Sequence, residues 1–522
     1  AEGENTVEFF VSKEAVVFGF VFLLISLALV AFLVVRSMRK DSLKTVMSGD
    51  TSFVKRRKIY AMRNVNMANV VVRKFMFANK RKVIGILLSL SIGGCIFLCT
   101  TYMVENLKVH AELSLISDDG LGSEYRISLK SDSLKDTIPE AVADKIKNMP
   151  ETENVYATKY TMGELQISKN EFLSEEEWSD YFKYQNQEPY YIQRYDGICK
   201  QQEDGNYRIK YNVYGYDEAM IEQLRDFILE GEIQPETIKN NNQVIVTANM
   251  DGQGNYFFYG KKPGDTITLR VPKTENYTDE LLKFQSGEEN YIEKEFEIAA
   301  IVNRPLAQEK DFLNTEVWKN AQSVIMTGEQ MEENFGITDY SFINASPADS
   351  ADAKIVSNQL LQVIRDVPKA VLQDYTTAIA TQKGYLGQQQ IFFSSIAVIL
   401  LIISLFHIVN SMSHTILTRR REYGIIRAIG ITDGGFYKMI LQTGILYGLL
   451  ADVFIYLIYN RVLRRVMNYY LAHVLQFLHY TTTIPNLVLN GIMVLTVVIA
   501  VVAVMFPAWK MGKENIISEI RR

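Results

Sequence analysis

Residues 419–435 read RRREYGIIRAIGITDGG and set Arg419, Arg420, Arg421 and Arg427 around Glu422 in a glycine-dotted apolar run. Guanidinium groups make strong, often bidentate hydrogen bonds to carboxylates and phosphates, so the chemistry on offer is recognition of an anionic surface. A short helix here is expected to turn Arg419, Arg420, Arg421 and Arg427 outward and to bury Ile425, Ile426 and Ile429 in a partner's groove. Gly430, Gly434 and Gly435 would permit the sharp turn that follows. Two readings of these residues stand side by side: docking on a partner protein, and anchoring to phospholipid head groups.

Other chemistry is sparsely represented. The chain has no Gly-x4-Gly-Lys-Ser/Thr phosphate loop, no His-Glu-x-x-His, no Gly-x-Ser-x-Gly, and only five histidines, so no enzymatic role and no cofactor are expected on it. Cys95 and Cys99 stand one helical turn apart, which would suit a metal, yet small apolar residues in a helix are the simpler reading and no metal is expected. Cys199 is alone in its region, which excludes a disulfide there. Asp452 is an acid within an apolar segment, with Lys438 near the inner end. Such a carboxylate is paired or functional by default, here at the outer interface or against Arg461 or Arg464.

These residues must be positioned by elements that the apolar patterning defines. Segments at roughly 15–35, 83–104, 388–412, 436–459 and 485–508 are each long enough to cross a bilayer. The expected fold class is therefore an α-helical integral membrane protein of five transmembrane helices with a large α+β extracytoplasmic domain. Charge sets the orientation. Residues 36–83 hold fourteen Lys and Arg against two Asp, and 413–434 and 509–522 hold four against two each, which places all three inside. The region 105–385 carries 49 acidic and 28 basic residues and belongs outside as a solvated surface. Arg461, Arg464 and Arg465 fall on the outer side, against this rule.

The expected organisation is an extracytoplasmic stub (1–14), a helix ending a preceding repeat (15–37), and a basic cytoplasmic linker with an amphipathic helix at 66–82 lying on the inner surface (38–82). A helix (83–105), the outer domain (106–385) and a second helix (386–412) follow. The coupling loop (413–434), a helix (435–460), an outer loop (461–484), a last helix (485–508) and a cytoplasmic tail (509–522) complete it. MRKDSLKTVM (38–47) and MGKENIISEI (511–520) both follow a membrane exit, which suggests a duplicated permease of which this is the C-terminal portion. Ser89 and Gly93, and Gly444 and Gly448, are spaced for close helix packing in lipid.

In the outer region EYRISLK, QVIVTA, DTITLRV, FEIAAIV and SVIMT read as strands. EAVADKIKNM, DEAMIEQLRDFILEG and ADAKIVSNQLLQVIRDV read as helices, with Pro139 and Pro347 near two starts and Gly231 closing the second. The aromatic and acidic stretch 174–197 either grips a ligand or packs a seam between two lobes.

The opening stretch, extended to TRRREYGIIRAIGITDGGFYKMIL, resembles the signature of the FtsX-like permease family at Arg421, Glu422, Gly424, Arg427, Ala428 and Gly430. FPAWKMGKENIISEIRR is similar to that family's closing pattern at Pro507, Ala508, Lys510 and Ile517. NVYGYDEAMIEQLRDFILEGEI, VIVTANM, YGKKPGDTITL and FEIAAIVNR follow the order of a MacB-type outer domain. The resemblance implies a permease subunit of an ABC transporter of the mechanotransmission type in the cell membrane, non-catalytic itself. A separate ATP-binding subunit would dock on Arg419, Arg420, Arg421, Glu422, Gly424, Arg427, Ala428 and Gly430. Many relatives carry a glutamate early in the helix where this chain has Gln442-Thr443. Membrane lipid and a peptide or lipoprotein at the outer domain are the other expected partners, nucleic acid is not, and antimicrobial-peptide resistance or export is the expected role. The alternatives are a regulator of cell-wall enzymes or a lipoprotein mover, and a sensor or adhesion receptor without an ATPase.

Overall fold

The computed structural model describes residues 72, 80–117, 120–131, 133–173, 186–187, 189–250, 256–275, 277–285, 287, 289–307, 323–474, 484 and 486–513. The first expected span and nearly all of the amphipathic helix at 66–82 lie outside them. Residues 67–522 form one compact unit.

The helices of that unit include α1 (Lys80–Ile116), α2 (Glu140–Lys147), α3 (Glu218–Gln223), α4 (Gly328–Phe335), α5 (Ala353–Val363), α6 (Thr376–Thr418), α7 (Arg420–Ala428), α8 (Asp433–Ile458) and α9 (Asn486–Gly512). Among the described residues three helical stretches are long and apolar enough to cross a membrane, namely Thr376–Thr418, Asp433–Ala472 and Asn486–Gly512. The segment expected at 83–104 lies within α1, which packs against α6 and α8. At 43 residues, α6 is about 65 Å long and carries the chain from the sheet domain through the bundle without a break. The outer loop expected at 461–484 is helical as far as residue 474, through two π turns at Tyr459–Leu463 and Tyr470–Val474. The run YNRVLRRVMNYYLAHV contains no glycine or proline to stop it.

Among the described residues the domain between α1 and α6 contains thirteen strands: β1 (Tyr125–Leu129), β2 (Thr152–Ile167), β3 (Cys199–Gln201), β4 (Tyr207–Tyr216), β5 (Ile228–Gly231), β6 (Gln243–Thr247), β7 (Asn249–Met250), β8 (Tyr256–Phe257), β9 (Thr266–Pro272), β10 (Tyr291–Val302), β11 (Ser323–Thr327), β12 (Phe342–Pro347) and β13 (Ala370–Asp374). In one lobe β13, β1, β12 and the first half of β2 pair antiparallel beneath α2 and α5, around Tyr125, Ile127, Ile146, Ile343 and Leu360. In the other, the order β2-β9-β10-β6-β11-β4 closes on itself because β4 also pairs with β2. Closure leaves only the short strands β3 and β5 paired on one side among the described strands of that closed sheet. Its interior holds Leu165, Ile209, Val213, Leu269, Ile298 and Ile325, all inaccessible to solvent.

Two local expectations are corrected. The stretch 217–231 is not one helix: α3 stops at Gln223, a 3-10 turn follows over Leu224–Phe227, and Ile228–Gly231 form β5 on β10. Gly231 there has φ +94°, and a Cβ would lie 2.3 Å from the Ala299 carbonyl oxygen, so glycine serves a strand crossing rather than a helix end. Pro347 ends β12, while α5 starts at Ala353 under an Asp352 cap. Within 174–197, residues 174–185 and 188 lie outside the described residues. Tyr191 and Tyr195 are buried in the closed lobe and Tyr190 is exposed.

The sheet domain is tied to α6 by Glu124. Burial works to raise this carboxyl, but hydrogen bonds from Ser346 and its own backbone N–H, with Lys383 at 3.2 Å, outweigh it and hold it below the ordinary value of 4.5. The native value is thus lower than the unfolded one, so its contribution is complete above pH 4.5 and is lost as the pH falls through the native value. The thermal midpoint is expected to drop on acidification below that point, and less steeply in a Glu124→Gln chain; equal slopes would refute the assignment.

Candidate functional site

The inner corner of the bundle is assembled by α7 and the ends of its neighbours. After α6 ends, Arg419 starts α7, a nine-residue helix closed by Gly430 at φ +107°. Thr432 then caps α8, its hydroxyl accepting from the Gly435 N–H at 3.1 Å. Gly434 and Gly435 therefore belong to the first turn of α8, and Gly430 alone makes the left-handed turn expected of all three.

The facing of α7 departs from expectation at Arg427, while Ile426 is half-buried against the bundle and Ile425 and Ile429 are exposed. Tyr423, Gly424 and Arg427 point inward, with Arg427 8% exposed, whereas Ile425 is 44% and Ile429 81% exposed. The Arg427 guanidinium donates to the carbonyls of Met511 at 3.2 Å and Gly512 at 3.4 Å, at the end of α9. It lies 3.5 Å from the Asp433 carboxylate and 5.3 Å from the centre of the Phe436 ring. A helix C-terminus leaves carbonyls unsatisfied and carries partial negative charge, so a cation there is well placed. Tyr423 packs edge-on against Phe436 at 6.1 Å, and burial pushes its phenol up to about 12. One buried arginine thus joins α7, α8 and α9.

What remains outward on α7 is Arg421, Glu422, Ile425, Ala428 and Ile429, with Gly430 also exposed; Arg419 and Arg420 are half-buried. Spacing of i and i+4 sets Arg421, Ile425 and Ile429 in one row. The inward Arg427 was missed because a charged residue is by default assigned to the outside. The competing signal was available in the orphan carbonyls that a neighbouring helix end must present.

The bundle behind this corner is tightly joined. A Cβ at Gly444 would lie 2.7 Å from Val504 Cγ2 and 3.0 Å from Val501 Cα, and one at Gly448 2.8 Å from Val497 Cα. Gly93 is buried, and a Cβ at its neighbour Gly94 would lie 2.7 Å from Ile455 Cδ1. The Ser89 side chain lies outside the described residues. Gly448→Val is expected to force α8 from α9 and cost about 1–3 kcal/mol, read as a lower thermal midpoint in a lipid nanodisc; an unchanged midpoint would show the backbones free to part.

Pro507 inside α9 cannot donate to the Ala503 carbonyl, and the Ser413 hydroxyl of α6 donates to that oxygen at 3.3 Å instead. On the other flank the Ser91 hydroxyl of α1 donates to Ala451 O of α8 at 3.3 Å. Asp452 is buried, and among the described residues no ion pair joins it to Arg461 or Arg464. Lys438 is exposed.

A bundle of long apolar helices closed by a buried arginine at the end of its last helix is the architecture of a polytopic membrane subunit. Residues 394–516 match the model of the family described as FtsX-like permease C-terminal, the family that the sequence resembles. An uncharacterized ABC transporter permease from Methanocaldococcus jannaschii is 26% identical over 235 residues, covering 44% of this chain and 55% of the relative. The chain thus spans about half the length of that curated relative. Two solved structures align with it: the periplasmic region of MacB from Actinobacillus actinomycetemcomitans (TM-score 0.28, 8% identity, 50% of this chain and 94% of that one) and the extracellular domain of the noncanonic ABC-type transporter YknZ from Gram-positive bacteria (TM-score 0.26, 9% identity, 48% and 98%).

Proposed function

We propose that this chain is the permease subunit of an ABC transporter of the mechanotransmission type, crossing the cell membrane five times with 106–385 outside. ATP hydrolysis on a separate subunit moves α7. Arg427 passes that movement to α8 and α9, and α6 carries it to the sheet domain, which acts on an antimicrobial peptide.

The observation that carries this reading is Ile429. An isoleucine 81% exposed, in a row with Ile425 and Arg421 on a helix fixed to two others, is a surface built for an apolar groove with an acidic rim. Head-group binding alone would account for the arginines but not for that row. Coexpression with a candidate ATP-binding subunit tests it. Ile429→Asp and Arg421→Glu are each expected to cut copurification at least tenfold while leaving the thermal midpoint of the permease unchanged. Undiminished copurification in both would sink the coupling role of α7.

A further inference from the structure

Where α1 and α6 leave the bundle, two cavities meet. The lower, about 270 Å³, is an apolar cleft between the helices walled by Val104, Leu107, Ala111, Leu386 and Phe393. The upper, about 580 Å³, lies between the helix ends and the sheet domain, and its wall carries the carboxylates of Glu112, Glu124, Glu153 and Asp349. Glu112, Leu115 and Lys383 line both, so the two spaces adjoin.

The charge of the upper chamber is one-sided. Among the described residues Lys383 is the one cation that lines it and is matched to Glu124 at 3.2 Å, while Glu112 pairs with Lys108 at 3.8 Å, which leaves Glu153 and Asp349 to set the field. Carboxylates around a concave wall with few counter-charges favour a cationic guest. The lower cleft is mainly apolar, with Lys108, Gln389 and Gln390 as its polar lining beyond the shared rim. From Val104 to Glu112 the helix rises about 12 Å, a depth that suits an extended hydrocarbon chain. Apolar guests of that kind gain with each methylene buried.

We infer that the adjoining cavities form a binding site for an acylated cationic peptide, its chain in the cleft between α1 and α6 and its amines in the acidic chamber. Glu153 and Asp349, beyond the Lys383–Glu124 and Lys108–Glu112 pairs, call for more than one amine on the guest, which favours a peptide over a lipid with a single cationic head. The inference rests on the proposed outer placement of 106–385 but not on the ATPase, and a binding assay on the permease alone keeps the two apart.

The test uses the full chain in phosphatidylcholine nanodiscs and dansylated dodecanoyl-trilysine amide, read by fluorescence anisotropy. Trilysine amide and dodecanoyl-triglutamate are each expected to compete at least tenfold more weakly than unlabelled dodecanoyl-trilysine. The Glu153→Gln, Asp349→Gln chain is expected to bind the probe about tenfold more weakly. Leu107→Trp, which fills the cleft, should weaken the acylated probe and leave trilysine unaffected. Equal competition by trilysine would remove the apolar half of the site, and equal competition by the triglutamate would remove the acidic half. Binding unchanged in both variants would place the probe in the surrounding lipid. Displacement by lysyl-phosphatidylglycerol in the disc, at the probe's own concentration, would reassign the cavity to a lipid and overturn the peptide.

Discussion

Arg427→Met is expected to loosen the inner corner of the bundle by roughly 2–3 kcal/mol, the scale of charged hydrogen bonds lost from a buried site. Methionine fills most of the volume but donates nothing. The carbonyls of Met511 and Gly512 and the Asp433 carboxylate, which the guanidinium serves at 3.2 to 3.5 Å, then face one another uncompensated. Thermal unfolding in nanodiscs should show a lowered midpoint, and proteolysis after residue 513 should quicken as the end of α9 frays. Arg427→Lys should recover only part, because an ammonium cannot spread over three acceptors and a ring in one plane. If Arg427→Met matched the parent midpoint while losing the ATP-binding partner, the arginine would be a docking residue after all.

A larger effect is expected at Glu164, on the outer face of the closed lobe. It stands directly across from Lys210 on β4 and Arg270 on β9. Its carboxylate meets Lys210 Nζ at 2.6 Å and Arg270 NH1 at 2.8 Å, with all three side chains about 2–3% exposed. Burial works against the Lys210 ammonium and lowers its pKa even though Glu164 opposes the shift. Glu164→Ala leaves two buried cations without their counter-charge and should cost about 3–5 kcal/mol. Arg270 also donates to the carbonyls of Gln285 and Gly287, so the segment over the cluster should lose hydrogen-exchange protection with it. Replacing all three by apolar residues of similar volume should restore most of the stability. A triple variant no better than Glu164→Ala would mean that the charges, and not only their balance, specify the lobe.

The parts of this molecule legible in its residues are those where one signal dominates. Five strands and the helices at 140–147 and 353–363 follow from alternation and caps that nothing contradicts. β2 and β4 were missed because TENVYATKYTMGELQI and YRIKYNVYGY bury Lys159, Glu164 and Lys210 among their apolar residues. A charge buried by its cross-strand partner looks, one strand at a time, like a solvent-facing position. The same limit governs α7. Its helix and its turn at Gly430 could be read locally, but which face is buried depends on the carbonyls at the end of α9, some 85 residues away.

The unbroken course of α6 fixes where the molecule yields. A helix held by its own hydrogen bonds resists stretching far more than bending, so a load applied near Thr418 reaches Thr376 with little loss except where flexure is cheapest. Gly384 and Gly387 provide that place, since neither has a neighbour a side chain would touch and glycine is the least constrained residue in a helix. Flexural compliance is therefore concentrated within a single turn of helix, beside Lys383 and Leu386. Anything wedged between those side chains and α1 would splint the joint and change how far the far end swings.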